Sequence, residues 1–357
     1  MDKPATVKDI AQRMGISLST VNKALTGKPG ISEQRRQEVL AVAAELGYRV
    51  NHVAQTLSRK PMTIGVILPT LWPQYHAALE RGICMEAQSL AQQNVDIRRI
   101  PVSCSEEISH AFAELRQARV SAILYCPSLL ALPEDCLPCF RSGDIPVFLA
   151  GDQCPEANGI CTVRVDGSLS GRMAADFLRF LLSPGEQAVM FTGSRSLPSH
   201  EEKAAAFLAR AETLGLLPSV QETGDDPARV SSLLRSLLDR SPVVRGIYIA
   251  TATVRPVLEI VQSLPAEVRP HILATDLYDD VQTGMADRIV DATLFQNQTL
   301  MGRLAVRTAY RYVIAHTSYA PVPEKTAKEI LVFPQLMLPS QVETALPDDG
   351  SSHRICY

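Results

Sequence analysis

Apolar residues recur at helical spacing in three short stretches near the start of the chain. Thr6 is a good N-cap for the first stretch and Gly15 ends it, which predicts a helix of about two turns. Ser17 caps a second predicted helix, and Ser32 caps a third that Gly47 terminates. The apolar residues that share one face of each helix are Val7, Ile10, Ala11 and Met14, then Val21, Ala24 and Leu25, then Val39, Ala43 and Leu46.

The first two predicted helices form a helix-turn-helix pattern around Gly15. In this motif the second helix enters the major groove, and its N-terminal residues meet base edges. The residues of that helix that point away from the core, and are therefore candidate base readers, are Leu18, Ser19, Asn22 and Lys23. Any small three-helix bundle has similar caps and apolar stripes, so the pattern alone favours DNA binding only moderately.

Charge separates this N-terminal segment from the rest of the chain. Residues 1–60 contain ten Lys and Arg against five Asp and Glu, a net charge of +5. The remaining residues contain 25 against 33, a net charge of −8. Because Lys and Arg displace the counterions condensed on phosphates, a basic module on a slightly acidic chain favours binding of nucleic acid by that module.

From Thr63 onward, strand-like apolar runs alternate with amphipathic helical stretches. The predicted strands are 64–68, 122–126, 147–150, 188–192, 246–250, 271–275 and 292–295. The predicted helices include 76–93, 169–182, 199–214, 230–238 and 299–315. This alternation predicts parallel sheets with helices on both faces, and about 280 residues exceed one comfortable domain. We therefore expect two α/β subdomains, with a ligand cleft beyond the carboxyl ends of their strands.

The N-terminal segment resembles the headpiece of the LacI/GalR (lactose-repressor) family of bacterial transcription regulators. Signature positions are filled in order and at the right spacing, which makes the match highly specific. The matching segments are 6–11, 15–17, 19–21, 27–32, 46–48 and the residues Asn51, Ala54 and Leu57. One departure is Asn22-Lys23, where the family often has Ser-Arg, and lysine reaches a guanine edge as a point charge and not as a bidentate fork. The operator sequence therefore stays open.

The basic segment from Asn51 to Lys60 is weakly helical and carries Leu57 among polar residues. The resemblance implies that it is a hinge helix that forms on specific DNA, with Leu57 wedged into a central minor-groove step from both subunits. A segment this short is marginal as a helix in water, so its formation can act as a switch. Together with the headpiece residues, the candidate DNA contacts are Thr6, Ser17, Leu18, Ser19, Thr20, Asn22, Lys23, Asn51, His52, Ala54 and Leu57.

The resemblance also implies a periplasmic-binding-protein-like α/β core in which the chain crosses between subdomains three times. We expect the crossings near Thr162, Asp291 and Pro323. The expected divisions are a helix-turn-helix domain at 1–49, a hinge helix and linker at 50–61, an effector-binding domain at 62–340 and a flexible tail at 341–357. Within the effector-binding domain, the N-subdomain is expected at about 62–161 and 292–323, and the C-subdomain at about 162–291 and 324–340.

Polar and aromatic residues at predicted strand ends are the candidate pocket. Trp72, the single tryptophan, can stack on the C–H face of a sugar or merely cap a helix, and both interpretations stay open. Asp276 and Gln296 match family residues that point into the ligand cleft, and Lys203 stands where many members have arginine. The candidate effector contacts are Trp72, Tyr75, Asp152, Arg164, Lys203, Asp276 and Gln296.

Other classes of function have little support in the sequence. The chain lacks a run of about 18 uncharged apolar residues and a signal-peptide core, which predicts a cytoplasmic protein without a membrane partner. Eight cysteines predict free thiols, and the pair Cys136 and Cys139 has no second pair or histidine at metal spacing. No nucleophile elbow, Walker loop or dinucleotide fingerprint occurs, so we expect neither an enzyme, a cofactor nor a metal.

The sequence therefore predicts a transcription regulator, usually a repressor and here of carbohydrate-related genes, that binds a palindromic operator as a homodimer. A sugar or sugar derivative in the cleft would control its operator affinity. Residues 347–352 interrupt any leucine heptad, which favours a dimer over a tetramer. The alternatives are a corepressor-responsive regulator that senses a nucleobase, a sugar-binding receptor for transport, and an intracellular enzyme with an accessory DNA module.

Overall fold

The computed structural model describes residues 5–25, 30–46, 61–141, 143–239, 243–317 and 328–343. Three helices form the N-terminal unit, namely α1 Val7–Met14, α2 Leu18–Leu25 and α3 Glu33–Glu45. The predicted hinge helix, the stop at Gly47 and most of the predicted tail lie outside the described residues. The last described helix extends over Pro339–Glu343, so the part of the tail that is described is helical.

The N-terminal helices begin and end where their capping residues predict. The Asp9 carboxylate accepts hydrogen bonds of 2.7 Å from both the Thr6 backbone N–H and the Thr6 hydroxyl, which fixes the start of α1. Gly15 ends α1 in the left-handed region with φ of 66°. The hydroxyls of Ser17 and Ser32 accept from backbone N–H groups three residues later. Buried Ile10, Val21 and Val39 join the three helices in one core.

Six parallel strands form the first sheet of the core, in the spatial order β11-β5-β4-β3-β1-β2. Their bounds are β1 Met62–Pro69, β2 Val95–Val102, β3 Ala122–Tyr125, β4 Val147–Gly151, β5 Thr162–Val165 and β11 Glu329–Val332. The central strands are buried on both faces, so they read as continuous apolar runs.

The second sheet has the spatial order β12-β10-β9-β8-β6-β7. Its strands are β6 Gln187–Thr192, β7 Leu217–Glu222, β8 Val244–Ile249, β9 His271–Thr275, β10 Ala292–Phe295 and β12 Gln335–Met337. All neighbours are parallel except the edge strand β12, which runs antiparallel to β10. One parallel and one mostly parallel sheet with helical connections confirm the predicted α/β class with two subdomains.

The helices of the core lie between and around these strands. Their bounds are α4 Pro73–Leu90, α5 Ser105–Gln117, α6 Leu137–Arg141, α7 Gly167–Leu181, α8 Pro198–Thr213, α9 Pro227–Leu238, α10 Arg255–Gln262, α11 Asp279–Ala286, α12 Gln298–Thr317 and α13 Pro339–Glu343. Glycines allow two pairs to pack closely. A Cβ at Gly82 of α4 would lie 2.0 Å from the Thr299 carbonyl oxygen of α12, and one at Gly171 of α7 would lie 2.2 Å from the Lys203 carbonyl oxygen of α8.

The three crossings between subdomains lie later along the chain than the sequence predicts. Strand β5 pairs with β4 and β11, so it belongs to the first subdomain and not to the second. Strand β10 pairs with β9 and β12, so it belongs to the second subdomain and not to the first. The chain therefore crosses after β5, after β10 and between β11 and β12, which corrects the expected positions. A strand stays in the sheet that satisfies its backbone hydrogen bonds, and the crossing falls in the loop that follows.

Length and apolarity together decide whether a helix can cross a membrane. Among the helices of the described residues, including the longest at Gln298–Thr317, none combines the length and the apolar character needed to cross a bilayer.

Candidate functional site

A cleft with about 710 Å³ of empty space lies at the carboxyl ends of strands from both sheets. The first subdomain contributes residues that follow β1, β3 and β4, and the second contributes residues from β9, β10 and the start of α8. The lining residues are Trp72, Tyr75, His76, Pro127, Ser128, Gly151, Asp152, Val165, Leu197, Ser199, His200, Lys203, Asp225, Ala250, Thr251, Ala252, Thr275, Asp276, Tyr278 and Gln296.

Asp276 is held rigidly at the end of β9. Its carboxylate accepts hydrogen bonds from the Gln296 backbone N–H at 2.9 Å, the Gln296 side-chain amide at 2.8 Å and the Tyr278 hydroxyl at 3.0 Å. Burial raises the pKa of Asp276, and the Gln296 donors oppose that effect by stabilising the ionised form. Its backbone has φ of 64°, which aspartate tolerates better than most residues. All three hydrogen-bond donors therefore hold the Asp276 carboxylate in a fixed position in the cleft.

Lys203 reaches the cleft from α8 with only 2% of its surface exposed. Its ammonium donates to the side-chain oxygen of Gln296 at 3.3 Å, so Lys203, Gln296 and Asp276 form a chain of hydrogen bonds. Burial lowers the pKa of Lys203, while the charges of Asp276 and Asp152 raise it. An ammonium has three donor protons, so this geometry leaves capacity to donate to a ligand.

Asp152 connects the two subdomains across the cleft. It follows β4 in the first subdomain, and its carboxylate accepts from the Ser199 hydroxyl at 2.6 Å and the Ser199 backbone N–H at 3.2 Å. Ser199 lies in the first turn of α8 in the second subdomain. The Gln153 backbone N–H donates to the same carboxylate at 2.8 Å. Burial raises the pKa of Asp152, and the Ser199 hydroxyl lowers it.

Trp72 and Tyr75 form an aromatic wall on the first-subdomain side. Trp72 is the N-cap residue of α4, with Pro73 at the first helical position and φ of 47° at Trp72 itself. A bulky side chain is strained in this left-handed region. The two interpretations of Trp72 are thus compatible, because it both precedes the helix and lines the cleft. The Tyr75 hydroxyl donates to the Gly151 carbonyl oxygen at 3.5 Å, and its ring meets His76 edge-on.

Arg164 is not among the residues that line the cleft, although the sequence nominates it as an effector contact. Its guanidinium is buried and makes ion pairs of 2.6 Å with Glu202 of α8 and with Glu329 of β11. A second contact to Glu202, of 3.1 Å, makes that pair bidentate. Arg164 therefore ties β5 to the helix that carries Ser199 and Lys203. The other six nominated residues are brought together in one cleft.

Several cleft residues are absent from the sequence-based set, including Asp225, His200 and Tyr278. Asp225 lies in the turn between β7 and α9 with φ of 60°, and the Trp72 indole and the Thr251 hydroxyl are its hydrogen-bonding partners. The sequence does contain a feature that could indicate Asp225. The segment Thr223 to Pro227 includes Gly-Asp-Asp-Pro, a composition typical of a turn after a strand. It was missed because the edge strand β7 that precedes it alternates too weakly to predict.

The headpiece residues nominated as DNA contacts divide into two groups. Leu18 is 44% exposed, Ser19 and Asn22 are exposed, and Lys23 is partly buried, so α2 presents them on its outer face. Thr6, Ser17 and Thr20 take part in capping hydrogen bonds, including one of 2.9 Å between the hydroxyls of Ser17 and Thr20. Four further nominated residues lie outside the described part of the chain, namely Asn51, His52, Ala54 and Leu57.

The seven described cysteines are free thiols. Cys136 and Cys139 are both buried, and burial raises the pKa of Cys136 to about 11, which keeps it protonated at neutral pH. Within the described ranges, no group of three or more His, Cys, Asp or Glu is arranged to hold a metal ion.

The fold and the cleft define a class of protein, a periplasmic-binding-protein-like core that follows a helix-turn-helix unit. Residues 6–51 match the bacterial regulatory proteins of the lacI family, and residues 140–317 match the periplasmic binding protein domain. The chain therefore carries a lacI-family helix-turn-helix domain followed by a periplasmic-binding-protein-like domain.

Two curated relatives illustrate the range of similarity. Catabolite control protein A of Priestia megaterium is 27% identical over 215 residues, which is 60% of this chain and 62% of that protein. The HTH-type transcriptional regulator pepR1 of Lactobacillus delbrueckii subsp. lactis is 25% identical over 286 residues, 72% of this chain and 83% of that protein. The chain thus aligns with less than two thirds of the first relative's length.

Solved structures share the fold. The lac repressor dimer bound to operator and the anti-inducer ONPF has a TM-score of 0.61 at 19% identity, covering 94% of this chain and 98% of that one. The arabinose binding protein AraP from Geobacillus stearothermophilus has a TM-score of 0.69 at 16% identity, covering 80% of this chain and 99% of that one. At these identities the likeness establishes the fold alone.

Proposed function

We propose that the protein is a sequence-specific transcription regulator that binds a palindromic operator as a homodimer and responds to a small hydroxyl-rich ligand. The carrying observation is that one chain joins a lacI-family helix-turn-helix unit to a two-sheet core whose cleft is lined by polar and aromatic side chains. Carbohydrate-related genes are the proposed targets and repression the proposed sign of control. The cytoplasm, where operator DNA is accessible, is the proposed location.

The exposed face of α2 supports the DNA-binding part of the proposal. Leu18 and Ser19 lie in the first turn of α2, where a recognition helix meets base edges, and Asn22 and Lys23 lie one turn later. Leu18 offers an apolar contact to a thymine methyl group, and Lys23 offers a single ammonium. We assign base contacts to these four residues. Thr6, Ser17 and Thr20 are proposed to contact the phosphate backbone near their helix N-termini.

The polar lining of the cleft supports the ligand part of the proposal. The carboxylates of Asp152 and Asp276 accept hydroxyl donors, Lys203 and Gln296 supply donors, and Trp72 supplies a flat apolar face. Rings of sugars present hydroxyls at their edges and C–H groups on their faces, which suits this combination. Similarity of the fold to an arabinose binding protein agrees with a sugar-like ligand. Arg164 is proposed to act by positioning α8 and not by touching the ligand.

Control of DNA binding by the cleft requires a ligand that prefers one arrangement of the two subdomains. Asp152 with Ser199, and Arg164 with Glu202, are contacts that exist only when the subdomains are close. A ligand that bridges Asp152 and Asp276 would stabilise the same arrangement. We propose that this closure alters the spacing of the paired headpieces in the dimer, and that the segment 50–61 transmits the change.

The proposal is tested by selecting genomic fragments with the purified full-length chain and measuring operator affinity with and without a panel of sugars, polyols and nucleobases. We expect a palindromic site and at least one sugar or polyol that changes its affinity about tenfold or more. A nucleobase that tightens binding would instead support the corepressor alternative. No preference for any genomic site over random duplex, with or without ligands, would refute the proposal.

Leu57 provides a second test of the DNA-binding part. If it wedges into the minor groove of the operator, Leu57→Ala should weaken specific binding far more than non-specific binding. Leu40→Ala is a suitable control, because Leu40 is an exposed leucine of α3 outside the proposed DNA contacts. Equal losses on operator and random duplex would rule out the wedge.

A further inference from the structure

The balance of charge in the cleft points to the charge of its ligand. Three carboxylates line the cleft, those of Asp152, Asp225 and Asp276. Lys203 is the only lysine or arginine among the described lining residues. Burial lowers the pKa of His200 to about 4 and also lowers the pKa of His76, so both histidines are neutral at pH 7.

Burial raises the pKa of all three carboxyl groups, and hydrogen-bond donors from the protein oppose that rise. Each is surrounded by hydrogen-bond donors: Asp152 by Ser199 and Gln153, Asp276 by Gln296 and Tyr278, and Asp225 by the partners described above. Donors stabilise a carboxylate over a carboxylic acid. With one ammonium against three carboxylates, the cleft has a formal charge of −2 before a ligand enters.

Two groups in or near the cleft that could bind an anion are already engaged with protein carboxylates. The backbone N–H of Ser199, in the first turn of α8, donates to Asp152 and is not available to a ligand phosphate. The guanidinium of Arg164 is held by Glu202 and Glu329. By contrast, the carboxylates of Asp152, Asp225 and Asp276 line the cleft as hydrogen-bond acceptors. The hydrogen-bond acceptors that line the cleft suit the hydroxyl and amine groups of a ligand.

Building on the proposed function, we propose that the cleft selects effectors without negative charge, namely neutral sugars and polyols or their amino derivatives, and rejects sugar phosphates and sugar acids. Asp225 is the residue that sets this selectivity. Asp152 and Asp276 each accept three hydrogen bonds from the protein, whereas Asp225 has two side-chain partners, Trp72 and Thr251. A carboxylate oxygen of Asp225 and the ring of His200 both lie beside Gly193. A phosphate would bring about two further negative charges into a poorly solvated site.

The test uses matched sets of one sugar in neutral, 2-amino and phosphorylated form, such as glucose, glucosamine and glucose 6-phosphate, with equivalent mannose, galactose and ribose pairs. Dissociation constants are measured by titration calorimetry on the full-length dimer at low ionic strength. In every set that binds, the phosphate should bind at least about tenfold more weakly than the neutral sugar. The amino form, where the set has one, should bind at least as tightly as the neutral sugar.

Asp225→Asn should reduce the ratio between the dissociation constants of the sugar phosphate and the neutral sugar at least about threefold. This ratio is the affinity gap. Asparagine tolerates the left-handed backbone at this position, so the variant should fold, and its thermal unfolding without ligand verifies this. Asp287→Asn is the matched control, because it removes the same charge from an exposed position outside the cleft and should leave the affinity gap unchanged.

The outcomes separate this inference from the proposed function. A phosphate that binds as tightly as its parent sugar, or an unchanged affinity gap in Asp225→Asn, would overturn the inference and leave a sugar-responsive regulator intact. If no sugar in any charge form binds, the proposed effector class itself is refuted, and the selectivity inferred from it falls too.

Discussion

Asp276 and Asp152 are two buried carboxylates in one cleft, yet they are held in different ways. The donors to Asp276 come from Gln296 and Tyr278, which follow or adjoin strands of the second sheet. Two of the three donors to Asp152 come from Ser199, across the cleft in the other subdomain. Asp276 is therefore ordered by its own subdomain, whereas Asp152 is fully satisfied only in the closed arrangement.

This difference has a consequence for ligand binding. Opening the cleft would leave the environment of Asp276 intact but would return Asp152 and Ser199 to water. Arg164 and Glu202 would separate in the same movement, because they bridge β5 and α8. The second-subdomain half of the site is thus preorganised for first contact, and the contacts of α8 with the first subdomain report whether the cleft has closed.

The largest expected effect is on ligand affinity at the preorganised side. Asp276→Ala should weaken binding of the effector by about a hundredfold or more, since hydrogen bonds to a charged group contribute about 1.5–3 kcal/mol each. Operator affinity without ligand should not change. Titration calorimetry and operator binding measure the two quantities, with Asp287→Ala as the control. A variant with a normal ligand response would exclude Asp276 from the site.

Acid should destabilise the α8 side of the cleft through His200. The folded-state pKa of His200 is lowered from 6.5 to about 4 by burial, so between these values only the unfolded chain takes up the proton. This stability contribution is retained above pH 6.5 and is lost as the pH drops toward 4, where the loss amounts to about 3 kcal/mol.

His200→Gln should remove that part of the acid sensitivity. Urea unfolding at pH 7, 6 and 5 measures it, and His110→Gln, an exposed position on α5, is the control. An identical pH dependence in wild type and His200→Gln would show that His200 is accessible to protons in the folded state.

Breaking the ion pairs of Arg164 should have a smaller effect on the free energy of unfolding than breaking fully buried pairs would. The reason is that Glu202 and Glu329 are each about one third exposed. Arg164→Gln should lower the free energy of unfolding by about 2 kcal/mol and weaken ligand binding several-fold, since the closed arrangement loses a link. Small-angle scattering should detect a more open core. Arg255→Gln removes an exposed ion pair with Asp280 and should change neither property measurably. Loss of stability with unaltered ligand affinity would confine Arg164 to a purely structural role.

The smallest effect is expected from Ser199→Ala, which removes one hydroxyl donor from Asp152 but keeps the backbone N–H. The unfolding free energy should fall by about 1 kcal/mol, and ligand affinity by a few-fold, since only the closed state loses the bond. Ser231→Ala, which removes a helix hydroxyl of α9 outside the cleft, is the control. If Asp276→Ala and Ser199→Ala weakened the ligand equally, the contrast between the two carboxylates would not hold.

The success of sequence-based prediction differed between elements for physical reasons. Strands β9 and β10 are buried in the middle of their sheet and were predicted at their observed bounds, because their apolar runs are continuous. Strand β2 was missed, since Arg98 and Arg99 break its apolar run on an exposed edge. Strand β5 was missed for a different reason: its Arg164 is buried through ion pairs with partners distant in sequence.

Local chemistry in the sequence determined the caps of the headpiece helices and the alternation of strands and helices, whereas the family resemblance pointed to Asp276, Gln296 and Lys203. These depend on neighbours a few residues apart or on a strand's own end. Only the tertiary structure decided that Arg164 braces α8, that Asp225 completes a cleft with three carboxylates, and where the chain crosses between sheets. Those features depend on which distant groups satisfy a buried charge or a strand edge, and a one-dimensional pattern carries no record of that pairing.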